Sequence, residues 1–352
     1  SSDKVSEETN RYLAAKVFNY TANYDALIAK YFNEISHIDF PETLTLTYKK
    51  EQSLRYGENP HQAAAFYREF GDVGGSLAAG KQLHGKELSF NNINDANGAL
   101  KALKEFDEPT VVAVKHANPC GIGSGETLKE AYIKAYECDK VSIFGGIVAA
   151  NRVIEKEVAE MINSIFLEVV LAPGYSDQAL EILTGKKNIR LIQIDDIEKE
   201  IYEMDTKKVF GGLLIQERDK ILLLDDMEIA TKRAPSEKEL DDLIFAWKAA
   251  KNINSNGVVL VRDKATIGIG LGQVNRVWAV DEAIERGREK IEGSVMASDG
   301  FFPFKDSIEL LAKNGVKAVI QPGGSIRDDE VIEEADKNGM AMIFTGIRHF
   351  KH

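Results

Sequence analysis

Near the start of the chain, apolar positions recur every three or four residues. Leu13, Val17, Tyr24, Leu27, Ile28, Tyr31, Phe32 and Ile35 fall on one stripe, which predicts an amphipathic helix over residues 10–36. The stripe is rich in Tyr and Phe and calls for a surface to pack on. From Thr110 the pattern changes to a β-branched run, Val111, Val112 and Val114, which predicts a buried strand. That strand ends in Lys115 and His116. Asn118-Pro119 and Gly121 are read as its stop, because Pro119 has no amide donor and restricts the residue before it, while Gly121 tolerates positive φ. On an unbroken strand neighbouring side chains point to opposite faces. Lys115 and His116 can therefore serve one site only if the pleat breaks there.

Thr127 to Glu130 reads as a capping box opening a helix with Leu128, Ala131, Tyr132, Ala135 and Tyr136 on one face. A strand interrupted by Gly145-Gly146 follows, then a helix over 155–164, the strand LEVVLAPGY, another helix and the strand RLIQI. Residues 196–208 are charge-rich and read as a solvated connector. The second half opens with VFGGLLI. Pro235 and the box Ser236 to Glu239 start a helix through Ala250, and NGVVLV with IGIGLGQ reads as a hairpin. A helix near residue 280, VMASDGFFPF, a helix from Asp306 to Lys313, VKAVIQPGGS, a helix from Asp328 to Lys337 and MAMIFTG complete the chain. The two halves run in the same order. This predicts an internally duplicated α/β fold with helices on both faces of mixed sheets. The hairpin-then-alternation order resembles the cytidine-deaminase-like layout, giving two α/β/α lobes that meet face to face over a shared cleft. The expected boundaries are an amino-terminal helical linker segment, 1–40, a first lobe, 41–205, and a second lobe, 206–352.

Bulk properties narrow the classes. A chain of 352 residues is long enough for two domains or one doubled unit, and its net charge of −12 argues against non-specific nucleic-acid binding. Two cysteines without a CxxC suit a reducing cytosol, and no apolar run is long enough to span a bilayer. A cytoplasmic protein without membrane or nucleic-acid partners is expected.

Several stretches could carry chemistry. SLRYGENPHQ crowds Arg55, Tyr56, Asn59, His61 and Gln62 around Gly57 and Pro60, either as an anion-holding loop or as a solvated turn. LSFNNINDANGAL sets Asn91, Asn92, Asn94 and Asn97 near Asp95, as a loop-fixing network or part of a site. A zinc deaminase would need a His-x-Glu or Cys-x-Glu turn and Pro-Cys-x-x-Cys. Here Pro119-Cys120 stands alone, with Gly123 three residues beyond Cys120, and no Cys/His set has metal spacing. No metal is expected, and Cys120 reads as a packing residue. The glycines around 268–272 suit a hairpin better than a dinucleotide loop. Phe301, Phe302 and Phe304 are either core or a platform for a flat ring, and Arg348, His349, Lys351 and His352 make a basic terminus.

Taken together, SLRYGENPHQ, LSFNNINDANGAL, VAVKHANPCG, SIFGGIVA, APGY, NSNGVV, GIGLGQVNR, SDGFFPF and RHFKH resemble the transformylase region of the AICAR transformylase/IMP cyclohydrolase family, from about residue 10 to the end. The resemblance implies paired deaminase-like lobes, active sites at a homodimer interface, and formyl transfer from 10-formyltetrahydrofolate, as co-substrate, to the amine of AICAR. It implies that the amino-terminal helix is an interdomain segment and that the cyclohydrolase domain is absent. Position by position, Lys115 and His116 match the catalytic pair, joined by Asn256. Arg55, Tyr56, Gly145, Glu168, Arg276, Phe301 and Arg348 match nucleotide-binding positions. Pro303, Phe304, Ser307, Asn275, Val277 and Val141 match the folate side. Two other readings stay open, a metal-free deaminase relative and a non-catalytic nucleotide-binding domain.

Overall fold

The computed structural model describes residues 5–201, 204–223 and 227–352. The chain divides into two compact units, residues 1–73 and 74–352.

The first unit begins with α1 (Glu7–Ile35), capped by Ser6, whose hydroxyl accepts the Thr9 amide. The helix is the one the spacing predicts, but Ala26 is its buried residue, and Leu13, Val17, Tyr24, Tyr31 and Phe32 are exposed. An antiparallel hairpin follows, β1 (Tyr48–Leu54) and β2 (Ala64–Glu69).

The second unit contains, in order, β3 (Lys81–His84), α2 (Phe90–Leu103), β4 (Thr110–Lys115), β5 (Asn118–Ser124), α3 (Leu128–Cys138), β6 (Ile147–Ala150), α4 (Lys156–Asn163), β7 (Val169–Ala172), α5 (Asp177–Thr184) and β8 (Arg190–Gln193). A small hairpin, β9 (Asp205–Val209) and β10 (Gly212–Gln216), precedes β11 (Glu228–Ile229), α6 (Glu237–Ala250), β12 (Val258–Arg262), β13 (Ala265–Gly270), α7 (Arg276–Gly287), β14 (Val295–Ser298), α8 (Asp306–Lys313), β15 (Ala318–Gln321), α9 (Asp328–Lys337) and β16 (Ala341–Phe344).

Twelve of these strands form one mixed sheet in the order β3-β8-β7-β6-β4-β5-β13-β12-β14-β15-β16-β11. Outward from the β5/β13 seam, the pairing sense is the same on both sides: antiparallel, antiparallel, parallel, parallel, antiparallel. The two halves were expected to meet face to face. They meet edge to edge instead, through the bridge Ala265↔Gly123 and the Ser124 amide donating to the Lys264 carbonyl at 2.9 Å. Thr266 completes the seam, its hydroxyl accepting the Ile122 amide at 2.8 Å.

Alternation along the buried strands sorts the core. One face, with Val112, Val114, Val259 and Val261, packs under α2 and α6 in a single cluster that includes Leu100, Leu103, Phe245 and Trp247. The other face divides, with α3, α4 and α5 over the first half and α7, α8 and α9 over the second. Burying each such Val, Leu or Phe side chain contributes about 1.5–3 kcal/mol. The glycines of β5 and β13 serve this layering. A Cβ at Gly121 would overlap the Ala135 carbonyl on α3, and one at Gly270 would overlap the Ala279 carbonyl on α7. Gly121 is thus required for close helix approach and not for positive φ.

Other local expectations shift. LSFNNINDANGAL is neither loop nor turn but α2, opened by a reciprocal box between Ser89 and Asn92. Thr127 accepts the Glu130 amide, but the Glu130 carboxylate takes the Glu126 amide, so that box is half formed; the Ser236–Glu239 box is complete. Within the predicted connector 196–208, residues 202–203 lie outside the described residues and Asp205 already begins a strand. VFGGLLI bends at Phe210-Gly211 to join β9 and β10. No helix among the described residues is long and apolar enough to cross a membrane.

Candidate functional site at one edge of the sheet

Strand direction decides which residues share an edge. β4 ends at Lys115, and β6, antiparallel to it, begins beside that end, with Val114 opposite Ile147. β7 and β8 run parallel to β6, so Gly145, Glu168 and Arg190 precede or open strands on the same edge. Across the seam β13 runs antiparallel to β5 and finishes at this edge, and β12 starts there. β14, β15 and β16 also end there. Asn256, Asn275, Arg276, Phe301, Pro303, Phe304 and Arg348 therefore follow or precede strand ends on the edge that carries Lys115 and His116.

The strand does not stop at Asn118-Pro119. Lys115 pairs with Asn118, and the chain reverses in the two residues between them. His116 and Ala117 both occupy the left-handed region, with φ of 52° and 58°. Two-residue hairpin turns of this kind ordinarily take Asn and Gly, so His and Ala here cost on the order of 1–2 kcal/mol each. Such strain persists where the surroundings enforce it. The pleat break demanded by the sequence thus falls at His116 itself. His116 is exposed, and its carbonyl accepts the Asn118 side-chain amide at 3.0 Å. The Lys115 ammonium donates to the carbonyls of Phe144 (3.1 Å) and Gly145 (2.9 Å). Gly145 has φ of 65°, and a Cβ there would stand 3.2 Å from that ammonium.

Asp95 lies behind the turn on α2. Its half-buried carboxylate lies near the backbone of Ala117 and His116. Burial raises its pKa, and the turn amides with His116 and Lys115 oppose that rise. Gly98 allows the close approach, since a Cβ there would sit 2.9 Å from the Ala117 carbonyl. One turn earlier, Asn92 donates to Glu168 at 2.7 Å, and Arg190 stands 3.8 Å from the same carboxylate.

The second half supplies a denser network. Arg276 is 5% exposed and pairs with the fully buried Asp299. Its guanidinium also donates to the Gly257 carbonyl at 3.1 Å and to Asn256 Oδ1 at 2.9 Å. Asn256 Nδ2 donates to the Gln273 carbonyl at 2.8 Å, and the Ser255 hydroxyl donates to Asp299 at 2.5 Å. The Phe run divides. Phe302 is core, while Phe301 and Phe304 are 40% and 49% exposed, with the Arg327 guanidinium 4.9 Å from the Phe304 ring centroid. Arg348 is exposed and stacks on Phe350 at 4.8 Å.

Other expected site residues are placed as follows. Val141 is exposed in the loop before Gly145, and Asn275 caps α7 by accepting the Val277 amide. Pro303 and Val277 are half-buried, and Ser307 is buried at the start of α8. Arg55 and Tyr56 belong to the first unit, just past β1, with the Arg55 guanidinium 5.7 Å from the Tyr56 ring centroid. Burial pushes the Cys120 thiol up to about 12, as for a packing cysteine. Among the described residues no group of three or more His, Cys, Asp or Glu side chains is arranged to hold a metal ion.

Sequence reasoning grouped Asn92 with Asp95 as a loop-fixing network or part of a site and assigned no role to Ser255 or Asp299. Asp95 has a counterpart in the second half. It stands six residues after the helix cap Ser89, as Asp242 stands six after the cap Ser236.

Comparison with known proteins gives a consistent result. A family model described as the AICARFT/IMPCHase bienzyme matches residues 1–286. The bifunctional purine biosynthesis protein PurH of Acetivibrio thermocellus is 58% identical over 352 residues, 99% of this chain and 68% of that protein. The proteins of the same name from Ruminiclostridium cellulolyticum and Halalkalibacterium halodurans are each 54% identical, over 100% and 99% of this chain and 69% and 68% of their own lengths. The relatives are bifunctional and the family is a bienzyme family. The expectation that the cyclohydrolase domain is absent is therefore not borne out, and the point at which this sequence begins carries no information on it.

Proposed function

The chain belongs to the AICARFT/IMPCHase bienzyme family, and on that premise we propose that its second unit carries the AICAR formyltransferase reaction, passing the formyl group of 10-formyltetrahydrofolate to the AICAR amine to give FAICAR. It is an enzyme of purine biosynthesis, a one-carbon transferase. The observation that carries the finer reading is the His116–Ala117 turn, which presents an exposed imidazole beside an ammonium on an edge lined by polar and aromatic strand ends.

The chemistry suits those groups. The AICAR amine is a poor nucleophile, because its lone pair is delocalised into the ring and carboxamide. The formyl donor is an amide-like group. The transfer needs a proton acceptor for the amine, donors for the developing oxyanion, and close positioning of the two reactants. His116 takes the amine proton. Lys115 has three donors, two of them spent on Phe144 and Gly145 carbonyls, and the third serves the oxyanion or the leaving nitrogen. Asn256 supplies a second polar group held in place by Arg276. Glu168, Gly145, Arg276 and Phe301 bind the nucleotide, with its phosphate on Arg348, whose planar fork suits phosphate oxygens. Arg55 and Tyr56, on the first unit, are further nucleotide-binding candidates. Pro303, Phe304, Ser307, Asn275, Val277 and Val141 take the folate.

The equal strand order about the seam supports a duplicated, cytidine-deaminase-like pair of lobes, bounded as 41–205 and 206–352 after a linker segment, 1–40. The exposed aromatic stripe of α1 suits a homodimer. Tetrahydrofolate formation, followed by absorbance with AICAR and the formyl donor, tests the function. Product that requires both substrates is expected. Ammonia release without folate would support a deaminase, and nucleotide binding with no turnover would support a binding domain; either result sinks the proposal.

A further inference from the structure

We infer a second anion site in this protein: the cavity between α2 and the segments flanking the β9–β10 hairpin, walled by Lys101, Lys104 and Arg218, takes a phosphate group. The cavity measures about 70 Å³, and Ser76, Asn97 and Asp205 also line it. A single water needs ~10–15 Å³ of such space, so a tetrahedral oxyanion has room. None of these residues is among those assigned to formyl transfer, and the inference does not depend on that reaction.

The chain as a whole is acidic, with 56 Asp and Glu against 44 Lys and Arg. The cavity inverts that balance, since its wall holds three cations and one carboxylate. Backbone carbonyls, not acids, hold two of the cations in place. The Lys104 ammonium donates to the Ile197 and Lys199 carbonyls, each at 2.6 Å, which leaves one of its three donors. Arg218 spends one N–H group on the Ile201 carbonyl at 2.9 Å and keeps the rest of its fork. The half-buried Lys101 has no hydrogen-bond or ion-pair partner among the described residues. Asp205, the lining carboxylate, accepts from the Gln216 side chain at 3.3 Å and forms no ion pair with any of the three. Burial, and then Arg218, lower the pKa of Lys104, as expected where cations crowd one another. Asp196, Glu198 and Glu200 act the other way without cancelling that fall. An anion between the cations relieves their repulsion and takes charge-assisted hydrogen bonds from the ammonium groups and the guanidinium fork. A phosphate group presents three acceptor oxygens, enough to meet donors from α2 on one wall and from Arg218 on the other.

Calorimetric titration of the full chain with inorganic phosphate tests this. Arg348→Ala serves as the background, so that the nucleotide-phosphate arginine does not contribute. In that background Lys101→Gln and Arg218→Gln are each expected to weaken phosphate binding at least tenfold, and Lys101→Arg, which keeps the charge, to restore most of it. Thermal unfolding in phosphate-free buffer reads whether each variant folds. Lys101 holds no partner in the fold, so Lys101→Gln decides the matter even where Arg218→Gln is destabilised. Sulfate should compete with phosphate, and acetate should not. AICAR titrated in place of phosphate separates the two sources of the group. If its affinity also falls in Lys101→Gln, the cavity takes a nucleotide's phosphate; if only phosphate binding falls, it takes the free ion. The readout is binding, so failure of the formyl-transfer reading leaves the test intact. Phosphate binding that is absent from the background protein, or equal in it and in Lys101→Gln, overturns the inference, as does displacement by acetate.

Discussion

The His116–Ala117 and Asp263–Lys264 turns occupy the same place in the two strand orders, and their surroundings differ. Each joins the antiparallel pair nearest the seam, each has two residues at positive φ, and each has near it an aspartate six residues into a helix, of which Asp242 accepts both amides of its turn. Around the second turn the charged side chains pair with neighbours. Asp263 pairs with Lys238 at 2.5 Å, Lys264 lies 3.7 Å from Glu108 across the seam, and the Lys264 carbonyl accepts the Ser124 amide. Around the first turn the side chains of Lys115 and His116 point to an edge where strand ends from both halves converge. The difference lies in what adjoins each turn. The scaffold supplies two hairpins with two residues each at positive φ, and the first leaves its imidazole exposed.

The largest expected effect tests that contrast directly. His116→Ala should lower kcat by ~10²-fold or more, the usual cost of losing a general base. The KM for AICAR should change little, because the phosphate is held elsewhere. Lys264→Ala, at the matching turn, should leave kcat within about twofold, since a surface ion pair contributes roughly 0–1 kcal/mol. Turnover and thermal unfolding measured on both proteins decide it. Comparable losses of turnover in the two variants would remove the distinction between the turns.

The parts of this arrangement legible in the sequence were those with a local cause. The periodic stripe gave α1, β-branched runs gave the buried strands, and Ser236 with Glu239 marked the start of α6. The repeat of order was visible, and so was the demand for a pleat break between Lys115 and His116. What stayed hidden depended on partners distant in sequence. Nothing near Lys115 says that the chain reverses at His116-Ala117, because the helix packed on that turn, α2 at Gly98, comes from elsewhere in the sequence. Asn118-Pro119 read as a stop because proline lacks a donor, yet Pro119 sits in a paired strand. The Asn-rich stretch read as a loop-fixing network or part of a site. Asn is a modest helix former, and burial of Ala96, Ala99, Leu100 and Leu103 against the sheet overrides that preference. The edge-to-edge seam could not be foreseen, since the Thr266 and backbone bonds across it and the shared cluster under α2 and α6 join residues distant in sequence.

The second comparison is between the two halves' shares of the edge. The first half offers exposed groups, whereas the second offers a buried network in which Arg276 joins Asp299, Asn256 and the Gly257 carbonyl. Arg276→Ala should therefore act first on folding. Removing one partner of a buried pair leaves Asp299 uncompensated, at a cost of about 3–5 kcal/mol. The denaturation midpoint should fall accordingly, whereas His116→Ala should barely move it. Arg276→Lys keeps the charge but cannot fork across Asn256 and Asp299, and it should recover only part of the loss. An Arg276→Ala protein as stable as its parent would show that this network is not what holds the second half's share of the edge.

The smallest expected effect concerns the tail that closes the same network. Lys351 pairs its backbone with Ser255, accepting the Ser255 amide at 2.9 Å and donating to the Ser255 hydroxyl at 3.1 Å. Its ammonium donates to the Asn252 carbonyl at 3.0 Å. Burial, with Lys101 nearby, lowers the pKa of that ammonium to about 8. The sign follows from which state binds the proton more tightly. Below about pH 8 both folded and unfolded chains carry the proton, and the folded state bears the full cost of a buried charge. Between there and the ordinary lysine value of 10.5 the unfolded chain binds more protons, so stability rises with pH. Above that range the cost is gone. The rise is at most roughly 3 kcal/mol. Lys351→Met, which fills the same space without a charge, should be more stable than the parent near neutral pH and should lack this contribution to the slope. Urea midpoints for both proteins from pH 7 to 10.5 supply the comparison. Parallel curves would mean that the tail's ammonium is solvated, and that the second half's share of the edge is looser than its hydrogen bonds imply.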